Sequence, residues 1–222
     1  MAFLTKSELL NRACSMHKNM EKDEKIPNDD NKILVVLQDE RYSFDTDDIK
    51  QASIDLCISN KALRYKKNSV YKIDLKEFIT SDDKDAFINN LFDEEEIDAE
   101  KGLKLMPNET IFTTSRDYIV VPTDLVAFVF ARSWVARLGL MVTFSAPYLP
   151  PGVQWNFPLQ IKNCTENPII IFPLKLIQIM FSNVRGYTKG YQGHYQGSTD
   201  SKPIVDRDEA YTLKDFLDPD NK

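Results

Sequence analysis

The spacing of apolar positions changes character several times along this chain. Thr5 or Ser7 caps a predicted helix over residues 5–18, with Leu4, Leu9, Leu10 and Ala13 on one side. Residues 21–32 are polar and contain Pro27, so they read as a connector. A β-branched run, Ile33–Leu37, follows. Residues 51–56 then alternate, placing Ile54 and Leu56 on one face and Ser53 and Asp55 on the other, the pattern of a half-buried strand. Residues 75–101 are dense in Asp and Glu, with apolar positions at Phe78, Phe87, Ile88, Leu91 and Phe92. That spacing predicts an inserted helical segment with an acidic solvated face.

From Leu105 the pattern becomes that of strands. Pro107, Pro122 and Asp124 punctuate short runs rich in Ile, Val, Thr and Phe, as in a small β-barrel or jelly roll. Two further strand regions, 155–162 and 169–182, flank a turn at 163–168, and the apolar runs 169–172 and 176–181 predict central strands that close the barrel. Four of the seven glycines fall between Gly186 and Gly197, the composition of a mobile loop, and Tyr187, Tyr191 and Tyr195 in it are able to stack on a base or sugar. An aromatic-decorated surface loop has the same composition. An acidic tail follows, so the expectation is one domain over 1–222 with a helix at 5–18, an insertion at 75–101 and a lid and tail at 186–222.

Composition narrows the class. A net charge of −6 argues against a duplex nucleic-acid binder, which needs a basic face, while a local basic pocket still holds a small polyanion. Cys14, Cys57 and Cys164 are odd in number and widely spaced, so they form neither a disulfide framework nor a zinc quartet, and a cytoplasmic location is expected. Charged residues interrupt the first 20 positions and no later run is long enough to span a membrane, so neither a signal peptide nor a membrane partner is expected.

Residues 131–152 carry the strongest candidate chemistry: A-R-S-W-V-A-R-L-G-L-M-V-T-F-S-A-P-Y-L-P-P-G. Ser133 is the expected N-cap of a short helix that Gly139 stops, with Arg132 before it and Arg137 inside it. Free N–H groups and two guanidiniums together suit a phosphate, although on spacing alone an amphipathic helix with surface arginines fits as well. The run R-S-x-x-A-R-x-G-L-x-V, followed without a gap by T-x-S-A and P-G, resembles the phosphate-binding core of the dCTP deaminases, which share a fold with trimeric dUTPases. Q-A-S-I-D-L at 51–56 and P-x-D-L-V before R-S are similar to the same family, and the resemblance covers 49–60 and 105–202.

This resemblance implies a mainly β, dUTPase-like distorted barrel or jelly roll, a homotrimer with shared sites, and a pyrimidine deoxynucleoside triphosphate as ligand. It implies no required cofactor and no metal, with Mg²⁺ able to accompany a bound triphosphate. Nucleotide contacts would fall on Arg132, Ser133, Arg137, Ser145, Ala146, Tyr187, His194, Gln196 and Ser198, the last four in the C-terminal lid. Ser133 and Arg137 would help a strand glutamate act on the attacking water, and Asp55 becomes a candidate for site architecture or for a buried hydrogen-bond network.

The glutamate maps to Gln160, which has no carboxylate, and the aspartate of the family's I-D-P-G maps to Pro150. No Asp or Glu occurs between Asp124 and Glu166, so shifting the match by one position restores neither. Trp134 stands at the usual second serine and His194 at the lid's lysine. The expectation is therefore a nucleotide-binding protein with lost or reduced catalysis, a sensor or regulator with a protein partner. The alternative is an active, divergent dCTP deaminase or dUTP diphosphatase.

Overall fold

The computed structural model describes residues 2–17, 32–37, 44–66, 74, 86, 90–143, 146–193 and 196–197. Its first element, α1 (Lys6–Arg12), begins where the sequence placed it: the Thr5 hydroxyl accepts the Glu8 N–H at 3.5 Å and the Glu8 carboxylate accepts the Thr5 N–H at 2.7 Å. The helix does not continue to residue 18. Ala13 turns extended, and β1 (Ala13–His17) pairs in parallel with β2 (Ile33–Leu37) over five residues. A distant strand offers those backbone groups a ladder that local periodicity does not reveal. Leu4 and Leu9 enter the core as expected, whereas Leu10, one position further round the helix from Leu9, is 41% exposed.

β3 (Ile54–Leu56) is buried on both faces, not half-buried, because Asp55 is covered by a charged network described below. β4 (Lys61–Tyr65) pairs antiparallel with β5 (Phe92–Glu96), which corrects the expected helix over that part of 75–101. Phe92 packs its ring 4.6 Å from Tyr65 and 5.2 Å from Phe112, and Glu95 pairs with the buried Arg64 at 2.9 Å. These cross-strand contacts override helix-type spacing. Ala86, Asn90 and Leu91 are helical, and most of the remaining insertion lies outside the described residues, as does the connector before Lys32.

The strands that follow are β6 (Leu103–Leu105), β7 (Thr110–Thr114), β8 (Tyr118–Val120) and β9 (Leu125–Ala131). After a second helix, α2 (Ser133–Arg137), come β10 (Leu140–Val142), β11 (Tyr148–Leu149), β12 (Gln154–Trp155), β13 (Pro158–Asn163), β14 (Ile169–Ile171) and β15 (Ile177–Asn183). They form sheets ordered β1-β2-β8-β12, β10-β13-β7-β4-β5, β11-β9-β15-β3 and β14-β6. Among the described residues no ladder closes on itself, so the expected barrel is a mainly β packing of separate sheets around one apolar core. β15 is central, pairing with both β9 and β3. β14 is not: it pairs with β6 alone and leaves Ile170 54% exposed. Among the described residues no helix is long and apolar enough to cross a membrane.

Candidate functional site

The R-S-x-x-A-R segment sits where β9 leaves its sheet. Arg132 keeps extended backbone (φ −66°, ψ 147°) and is itself the N-cap, without a side-chain cap bond, so Ser133 is the first helical residue and not the expected cap. Helical geometry thus begins one residue earlier than the serine's capping preference implies. The stop is as expected: Gly139 adopts φ +85°, and a Cβ there would meet the Thr165 side chain at 2.2 Å. Val135 is buried and pins α2, while Ser133, Trp134, Ala136 and Arg137 all face outward.

Arg132 has a partner that the sequence did not reveal. Its Nη2 lies 3.2 Å from Asp55 Oδ2, with the Asp55 side chain 4% exposed and that of Arg132 31% exposed. Its Nη1 donates to the Lys175 carbonyl at 3.5 Å. Lys50 reaches the same Asp55 oxygen at 3.9 Å, and Lys175 pairs with the buried Asp48. Ser53 donates to Gln178 Oε1 at 3.4 Å while Gln178 Nε2 donates to the Ala131 carbonyl at 3.0 Å. Burial pushes the Asp55 carboxyl above its ordinary range, and the Arg132 and Lys50 charges oppose that rise. Asp55 and Arg132 are 77 positions apart, and only the pairing of β3 with β15 and of β15 with β9 brings their strands into one sheet.

Gln160 lies on β13, half-buried and opposite Phe112 of β7. Its carbonyl accepts the Thr143 N–H at 2.7 Å. Thr143 holds φ +49°, a strained conformation for a β-branched residue, and its buried hydroxyl has no partner among the described residues. β10 carries the chain from Gly139, whose carbonyl accepts the Cys164 N–H, to Thr143 beside Gln160. Four residues of strand span roughly 13 Å. Within one chain, α2 and Gln160 therefore stand at opposite ends of β10.

The P-P-G turn is covered by the C-terminal segment of the same chain. Gly152 has φ +77°, and a Cβ there would meet Gly190 Cα at 2.7 Å. The Tyr191 N–H donates to the Pro151 carbonyl at 2.7 Å, and its ring lies 6.1 Å from Trp155. Gln196 Nε2 donates to the Gly152 carbonyl at 2.9 Å while its Oε1 accepts the Gln154 N–H at 3.0 Å. The amide expected to touch nucleotide is thus committed to backbone here. Tyr187 is 89% exposed and Ala146 is exposed. Ser145, His194 and Ser198 lie outside the described residues.

A mainly β fold that presents R-S-x-x-A-R on an outward helix defines the class. A family model described as dCTP deaminase-like matches residues 28–184, and the chain belongs to that family. A dCTP deaminase, dUMP-forming, from Sulfurihydrogenibium sp. (strain YO3AOP1) is 32% identical over 165 residues, 72% of this chain and 86% of that protein. One from Persephonella marina (strain DSM 14350 / EX-H1) is 28% identical over 187 residues, 81% and 98% respectively. Among solved structures, the 2'-deoxycytidine 5'-triphosphate deaminase from Agrobacterium tumefaciens matches 64% of this chain and 42% of its own, with 19% identity and a TM-score of 0.48.

Proposed function

We propose that this chain binds a pyrimidine deoxynucleoside triphosphate through Arg132, Ser133 and Arg137, and acts in pyrimidine deoxynucleotide metabolism as a divergent dCTP deaminase or dUTP diphosphatase. The observation that carries the reading is the exposed Ser133–Arg137 face of α2, which lies inside the matched segment and leaves the Arg137 guanidinium open among the described residues. The names of the relatives support a working enzyme better than a nucleotide sensor. Deamination adds water at the pyrimidine C4 and releases ammonia; a dUMP-forming enzyme also cleaves diphosphate from the triphosphate. In this chain Arg137 would draw negative charge from the phosphates or the reacting centre, and the Gln160 amide would orient the base or the water by hydrogen bonds.

A second reading, lost or reduced catalysis with a sensing or regulatory role and a protein partner, is favoured by one specific observation. Gln160 and Pro150 replace both carboxylates that the resemblance leads one to expect, and an amide cannot take a proton from water. We also propose that the protein is a homotrimer with sites shared between copies and that it is cytoplasmic.

Incubating the protein with dCTP and with dUTP, while measuring binding, uracil nucleotides and released diphosphate, separates the readings. The expected outcome is product formation proportional to protein and abolished in Arg137→Ala. Restoring the carboxylate in Gln160→Glu should speed deamination by about 10²–10⁴-fold. Tight binding without turnover would move the conclusion to the second reading, and absence of binding would remove both.

A further inference from the structure

Arg132 differs from a free surface arginine in that its charge is already answered. One guanidinium corner meets Asp55 at 3.2 Å and another meets the Lys175 carbonyl at 3.5 Å. The rest of its five donors are open among the described residues, and about a third of the side chain reaches solvent. A flexible surface arginine would lose rotamer freedom on gripping a phosphate, whereas one fixed at two corners has already lost it. The carboxylate that fixes it is itself buried on β3, and its strand is anchored by the Asp55 N–H donating to the Asp48 carbonyl at 2.9 Å. Burying a carboxylate is costly unless it is paired, and here the Arg132 guanidinium is its nearest charged partner.

We propose that Asp55 is a positioning residue for nucleotide binding: it acts through Arg132, holding the guanidinium so that its open edge receives the β- or γ-phosphate of the nucleotide. The inference rests on the reading that Arg132 contacts phosphate. Asp55 also carries negative charge close to the phosphate, so orientation must outweigh repulsion. The neighbouring Lys50, 3.9 Å from the same carboxylate, offsets part of that charge, which favours orientation as the larger effect.

Calorimetric titration of Arg132→Ala, Asp55→Asn and the double variant with dCTP and dCMP tests this. The neutral isostere removes a carboxyl that burial disfavours, so the fold should hold while the charge-assisted hydrogen bond is lost. The expected result is about tenfold weaker dCTP binding in Asp55→Asn with dCMP changed much less, and a double variant no weaker than Arg132→Ala alone. Asp55→Glu, which keeps the charge one methylene further out, should lose less dCTP affinity than Asp55→Asn; it also serves as the test if the asparagine variant fails to fold, with a selective loss for dCTP expected. Unchanged or tighter dCTP binding, equal loss for dCTP and dCMP, or additive losses in the double variant would overturn the role of Asp55. No effect of Arg132→Ala itself would instead remove the phosphate-contact reading beneath it.

Discussion

Single residues fix the turn at the candidate site, and Gly152 shows how tightly. At φ +77° an alanine is strained, and its Cβ would be driven to 2.7 Å from Gly190 Cα and 3.1 Å from the Tyr191 nitrogen. Those are backbone atoms, so they yield only if the C-terminal segment lifts. Gly152→Ala should therefore cost about 1–3 kcal/mol of stability and break the Tyr191–Pro151 hydrogen bond. Trp155 reports the event, because the Tyr191 ring lies 6.1 Å from it. In a Trp134→Phe background its emission should shift to the red; an unchanged spectrum and melting temperature would show that the segment is not held there. The glycine's place in a turn was legible from P-P-G. The positive φ of Thr143 was not, since nothing in a threonine announces a conformation that its branched side chain disfavours.

At the scale of elements, starts proved more legible than ends. The capping box of α1 is written in four adjacent residues, whereas its end depends on β2, about twenty positions away. β5 was misread for the same reason, because Arg64, Tyr65 and Phe112 decide its conformation and lie elsewhere in the sequence. In the site, α2 and Gly139 were readable locally, while the Asp55–Arg132 pair exists only through the sheet order. The α1 cap gives a pH test. The Thr5 backbone N–H, then its hydroxyl, hold the Glu8 carboxyl below its ordinary value. A depressed folded value contributes stability above the unfolded pKa, about 4.3, and the contribution is lost as pH falls through the folded value. Glu8→Gln should thus melt earlier than the wild type at pH 7, with the gap closing as the solution is acidified through that range. A gap independent of pH would mean that the charge of Glu8 plays no part in the cap. The gap between the two proteins is the quantity to follow, since burial raises the carboxyls of Asp55 and Asp117 and gives them the opposite pH dependence.

For the whole molecule, the arrangement of α2 and Gln160 bears on assembly. The resemblance assigns Ser133, Arg137 and position 160 to one water, yet in a single chain β10 holds their elements roughly 13 Å apart along the strand. A second copy is able to supply the missing side if α2 faces it, and large apolar side chains are exposed there beside Ser133 and Arg137: Phe130, Trp134, Leu138, Met141 and Tyr148 lie on or beside β9, α2, β10 and β11. Grouped exposure of large apolar side chains favours an interface. For the proposed homotrimer, light scattering at micromolar concentration should give the mass of three 25.6-kDa chains, and Phe130→Glu should lower it by placing a charge in the contact. Co-assembly distinguishes a shared site from mere association. Arg137→Ala and Gln160→Ala chains, each defective alone, should recover part of the dCTP binding when mixed and refolded together, because some sites then draw Arg137 from one copy and Gln160 from another. A trimer in which such mixtures recover nothing would leave the assembly intact but confine each site to one chain, and a monomeric mass with dCTP present would remove the assembly itself.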